Sequence, residues 1–70
     1  MESRVQEFCD YVEIADVAKS EDKLLKMAYW IGRATEITEM FTDEEFRELH
    51  DHRFPHYHKW TIMRVMCQQI

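Results

Sequence analysis

Glycine and proline are almost missing from this sequence, which has Gly32 and Pro55 as its only examples of each. It therefore contains no glycine-rich loop of the kind that binds phosphate groups. Disordered chains are poor in aromatic and large aliphatic residues, whereas hydrophobic residues make up 46% of this sequence. We therefore expect one folded domain over residues 1–70, with marginal stability, because a chain this short buries only about 60% of the surface that its unfolded form exposes.

Cysteine is scarce as well, and Cys9 and Cys67 lie near opposite ends of the chain without forming a CxxC pair. Their placement does not match a secretory disulfide framework. No basic segment followed by an apolar run opens the chain, and the apolar runs are too short to span a bilayer. We expect a cytoplasmic protein with reduced thiols and no membrane contact; a disulfide between the two cysteines is the alternative.

Charge is unevenly distributed along the chain, whose net charge is −5. Residues 36–51 contain seven acids and one arginine, a local charge of −6, whereas residues 52–70 contain three basic residues and no acid. Phosphate groups and anionic membranes attract positive surfaces. The overall charge therefore argues against nucleic acid as a partner. Cationic and aromatic residues between Arg53 and Trp60 keep it open as a weaker alternative.

Apolar residues at helical spacing predict the first two helices. The first covers residues 3–19, with Ser3 as its N-cap, and its buried stripe consists of Val5, Phe8, Cys9 and Val12. The second covers residues 21–40, with Ser20 as the expected N-cap. Glycine destabilises a helix interior, so Gly32 indicates the close approach of another helix, or else a kink.

The segment FTDEEF, residues 41–46, is the most specific local signal in the chain. Thr42 and Glu45 have the spacing of a capping box, and Phe41 and Phe46 that of a hydrophobic staple. These residues predict a short third helix over residues 43–52.

Pro55 suits the first turn of a fourth helix, over residues 55–69, and biases Phe54 away from helical geometry. The alternating histidines and aromatics of residues 54–60 leave a strand as the alternative. The predicted fold is therefore all-α, a small bundle of four helices.

Histidines are concentrated in the connection between the third and fourth helices. His50, His52, His56 and His58 supply enough imidazoles for a tetrahedral zinc site. Pro55 interrupts the i,i+4 spacing of His52 and His56, however, and no cysteine pair accompanies them. The principal interpretation is a solvated, partly stacked segment without a cofactor; a zinc site and a pH sensor are the alternatives.

No set of residues resembles catalytic machinery, since the His50-Asp51 dipeptide lacks the further ligands of a metal-dependent hydrolase. We therefore expect a non-enzymatic regulator or inhibitor that binds a protein partner stoichiometrically, a second copy of itself, or both. An apolar patch rimmed by acids would form the contact. The candidate partner-binding residues are Glu36, Glu39, Asp43, Glu44, Glu48, Phe54, Tyr57 and Trp60.

Overall fold

Four helices account for 56 of the 68 residues, 3–70, that the computed structural model describes. They are α1 (Arg4–Ser20), α2 (Leu24–Thr38), α3 (Asp43–His52) and α4 (Phe54–Cys67). No strand occurs within the described residues, so the all-α bundle is confirmed and the strand alternative for residues 54–60 is wrong. The helix ends differ from the predicted ones by three residues at most.

Helix α1 begins as predicted, because the Ser3 hydroxyl accepts a hydrogen bond from the Gln6 backbone N–H at 3.0 Å. Its predicted stripe is buried and forms the largest part of the core, together with Ala15 and Ala18.

The predicted N-cap of α2 is wrong, because Ser20 is the last residue of α1 and its hydroxyl donates to the Val17 carbonyl. The chain turns through Asp22, whose φ of 60° is left-handed. The Lys23 N–H bonds to the Ala18 carbonyl at 2.8 Å and the Asp22 N–H to the Lys19 carbonyl at 3.0 Å. This is a Schellman motif, with aspartate where glycine is usual.

Helix α3 begins with the predicted capping box and staple. The Thr42 hydroxyl accepts from the Glu45 N–H at 3.2 Å, and the Glu45 carboxylate accepts from the Thr42 N–H at 2.9 Å. The rings of Phe41 and Phe46 lie 5.1 Å apart. Bonding to the Thr42 backbone, assisted by Arg4, lowers the pKa of Glu45. This cap therefore contributes stability above the ordinary carboxyl pKa and loses it as the pH falls.

Helix α4 begins at Phe54, one residue earlier than predicted, so Phe54 is helical and Pro55 follows it in the first turn. The break that the proline causes falls instead on Arg53, which has φ −129° and ψ 35°. The Arg53 guanidinium donates to the Gln6 side chain at 3.0 Å, which ties this junction to the start of α1.

The core lies between α1, α2 and α4. The α1–α2 turn makes those helices antiparallel, and α4 runs parallel to α1 because His56 and Lys59 pair with Glu13 and Asp16 in ascending order. The ring of Phe8 lies 6.0 Å from Phe41 and 5.4 Å from Trp60. The Trp60 indole N–H donates to the Thr35 hydroxyl at 3.0 Å, so this polar atom of the core is satisfied.

Gly32 does not mark a helix contact, since a Cβ added there would meet nothing within 4 Å. Gly32→Ala is therefore expected to raise the free energy of unfolding by about 1 kcal/mol, because alanine favours the helix without a clash. Gly32→Val should gain less, because valine loses rotamer freedom in a helix. Urea denaturation followed by circular dichroism measures the free energy of unfolding of both variants. A Gly32→Ala protein less stable than the wild type would contradict the finding that a Cβ at this position meets no neighbour.

Candidate protein-interaction surface

Helix α3 is displayed on the surface of the bundle and is anchored by a single fully buried side chain, that of Leu49. One further link is the ion pair between Arg4 and Glu45, at 3.1 Å. A helix held at one buried position leaves most of its circumference to solvent. The structure therefore presents the acidic part of the sequence outwards.

All five acids that were predicted to contact a partner are exposed. They differ in whether a basic side chain of the same protein lies close enough to form an ion pair. Glu36 lies 3.9 Å from the Arg33 guanidinium on the same helix. Among the described residues no ion-pair partner is found for the other four, which are Glu39, Asp43, Glu44 and Glu48. The acids of α3 thus keep their charge available to another molecule.

The three predicted contact aromatics have different environments. Phe54 is 47% exposed and Tyr57 is partly buried. Trp60 is only 7% exposed, so its assignment as a partner contact is corrected. It packs against Phe8 and bonds to Thr35, and it belongs to the core.

Two exposed apolar residues beside the acids were missed as contact candidates. Phe46 is 41% exposed and Met40 is 58% exposed. The staple spacing did identify Phe46, but only as a partner of Phe41. Its remaining exposed surface lies on the same helix as Asp43, Glu44 and Glu48.

His50 and His58 both contact the exposed ring of Phe54. The His58 ring stacks on it with centroids 6.0 Å apart and planes inclined by 19°, whereas His50 meets it edge-on at 5.5 Å. His50 Nδ1 also lies 3.1 Å from the Asp51 carboxylate. These histidines therefore take part in a surface aromatic cluster.

The other two histidines point elsewhere. His52 is exposed near the end of α3, whereas His56 reaches α1, where its Nε2 lies 2.8 Å from the Glu13 carboxylate. Within residues 3–70, no three histidine, cysteine, aspartate or glutamate side chains are grouped so that they could hold a metal ion. The four histidines of the alternative zinc site are thus not brought together.

The basic residues of the fourth-helix segment are engaged within the fold. Lys59 lies 3.1 Å from Asp16 and 3.7 Å from Glu13, and its hydrogen bond to Asp16 raises the pKa of the lysine. The guanidinium of Arg64 lies 4.6 Å from the centre of the Trp60 ring. Sequence reasoning missed the pairing of Lys59 because it joins α4 to α1, two helices far apart in the chain.

Both cysteines are free thiols, with Cys9 buried and Cys67 partly buried. Burial raises the pKa of each, which the nearby Arg53 offsets in part at Cys9. A raised pKa reduces the thiolate fraction of a cysteine.

No protein-family model matches the chain, no curated protein is significantly similar to it, and no solved structure matches it. None of the helices in residues 3–70 is long and apolar enough to cross a membrane.

Proposed function

We propose that this chain is a non-enzymatic regulator or inhibitor that binds a basic surface of a partner protein through α3. The observation that carries the proposal is the exposed row of Asp43, Glu44 and Glu48, which have no ion-pair partner in the described residues. Phe46 adds an apolar contact on the same helix. Charged rims guide and select a partner, while buried apolar contacts supply much of the affinity.

The engaged cations support a protein partner over nucleic acid. Lys59 is paired with two carboxylates and Arg64 lies on the Trp60 ring, so these two cations of α4 are already engaged and less available to a phosphate backbone. The acids of α3 would repel such a backbone, whereas they suit lysine and arginine on a protein surface.

The proposal is tested by affinity capture from the native host with three baits, followed by mass spectrometry. Glu44→Gln/Glu48→Gln removes two charges from α3 and keeps side-chain shape. We expect the affinity of this variant for a stoichiometric partner to fall about tenfold, which corresponds to about 1.4 kcal/mol of binding free energy. Added salt should weaken capture by the wild type.

The matched control is Glu21→Gln/Asp22→Asn, which changes the net charge equally at the far end of α1, about 25 Å away along that helix. Asparagine tolerates the left-handed conformation at position 22. The control should retain the partner. Equal retention by all three baits, or capture of no stoichiometric partner by the wild type, would overturn the proposal.

A further inference from the structure

The side of α4 that faces away from the core has no lysine, arginine, aspartate or glutamate side chain. We call it the α4 outer face, and it consists of Phe54, His58, Thr61, Ile62, Val65 and Gln68. Its apolar members are well exposed, with Phe54 at 47%, Ile62 at 43% and Val65 at 53%. At 1.5 Å per residue the face is about 21 Å long. A surface helix normally presents charged residues on the side opposite the core.

The other three helices do follow that rule. Exposed charges lie on α1 at Asp10 and Glu13, on α2 at Lys26 and Glu36, and along the whole of α3. The contrast is sharp in a molecule whose net charge is −5. The α4 outer face is therefore exceptional in its lack of charge as well as in its exposed apolar area.

We propose that the α4 outer face binds a second copy of this chain, with the two α4 helices antiparallel across a two-fold axis near Thr61 and Ile62. A two-fold interface places the same patch on both sides, so a patch with formal charge repels itself. The α4 outer face contains no lysine, arginine, aspartate or glutamate, so it avoids that penalty. In this register His58 of one copy lies opposite Val65 of the other.

Electrostatics favours a copy of this chain over a charged partner at this face. Residues 52–70 contain no acid, so pairing two such segments brings no acidic side chains together. The three basic residues of this segment are not part of the face and are engaged within the fold, Lys59 by Asp16 and Glu13, Arg53 by Gln6 and Arg64 by the Trp60 ring. A strongly basic or acidic partner would find no opposite charge on this face.

The size of the contact sets the expected affinity. A pair of helices of this length buries less than the roughly 800 Å² per partner of a standard stable interface, so we expect micromolar dissociation. A second subunit is also a common source of stability in chains this small. The dimer uses residues of α4 and not the acidic residues of α3, so it does not depend on the proposed function.

Sedimentation velocity of the full chain from about 5 to about 500 µM tests the dimer in its expected range. The wild type should shift from monomer to dimer, whereas Val65→Lys should stay monomeric at every concentration. The control is Val17→Lys on α1, because Val17 is also 53% exposed and the change adds the same charge. It should dimerise like the wild type.

Circular dichroism establishes that each variant is folded, and Ile62→Lys replaces Val65→Lys if that protein unfolds. A wild type that remains monomeric at about 500 µM would overturn the proposal. So would a folded Val65→Lys or Ile62→Lys protein that dimerises as the wild type does. Loss of the dimer in Val17→Lys as well would show a general charge effect and count against the α4 outer face.

Discussion

Phe8→Ala is expected to remove most of the stability of this protein. Phe8 is fully buried and its ring contacts both Phe41 and Trp60, so it joins α1 to α4 and to the segment before α3. Truncating a buried phenylalanine costs about 3–5 kcal/mol. A core of this size rarely supplies more than about 3–5 kcal/mol in total. The variant should therefore be largely unfolded without denaturant.

Urea denaturation followed by circular dichroism checks this expectation. Phe54→Ala makes the same chemical change at a residue that is 47% exposed. It should cost about 1–2 kcal/mol, less than Phe8→Ala, since about half of the Phe54 surface already lies in solvent. A Phe8→Ala protein as stable as Phe54→Ala would contradict the packing described for the aromatic core.

Leu49→Ala is expected to cost about 2–4 kcal/mol and to release α3 from the bundle. Leu49 is the only fully buried residue of α3. The 10 residues of α3 are too few for a stable isolated helix, even with a capping box. Once its anchor is lost, the helix should therefore fray, and its acidic row would no longer be held in a fixed geometry.

Hydrogen exchange of the α3 amides measures this release directly, alongside urea denaturation of the whole chain. The control is Leu25→Ala, because Leu25 is 77% exposed and the substitution is chemically identical. It should change stability by less than about 0.5 kcal/mol. Unchanged α3 protection in the Leu49→Ala protein would show that other contacts hold the helix.

The start of α3 was predictable because all of its determinants lie within residues 41–46. Capping box and staple are local arrangements, so their spacing already specifies the geometry that the structure shows. The α1–α2 turn was not predictable in the same way. Ser20 is a residue type that often caps a helix, but here it is the last residue of α1. The turn lies at Asp22, which has a left-handed backbone conformation.

The candidate site was predictable in part. The sequence analysis named four acids of this region as candidate surface contacts, and all four are exposed in the structure. They are Glu39, Asp43, Glu44 and Glu48. The burial of Trp60 was not predicted, because periodicity identifies an apolar helix face but does not show which neighbouring helix covers it. The distance between the histidines was also not predictable from their spacing in the sequence. They lie on two helices, α3 and α4, and the side chain of His56 contacts Glu13 of α1.

The sequence by itself determined that the chain forms four helices, where the third begins, and how charge divides between residues 36–51 and 52–70. These properties depend on local periodicity, capping and composition, which act between near neighbours in the chain. Only the tertiary structure decided that Trp60 is core, that Lys59 is neutralised by α1, and that the outer face of α4 is left without a cover. Those outcomes depend on contacts between helices, whose packing a single sequence does not specify.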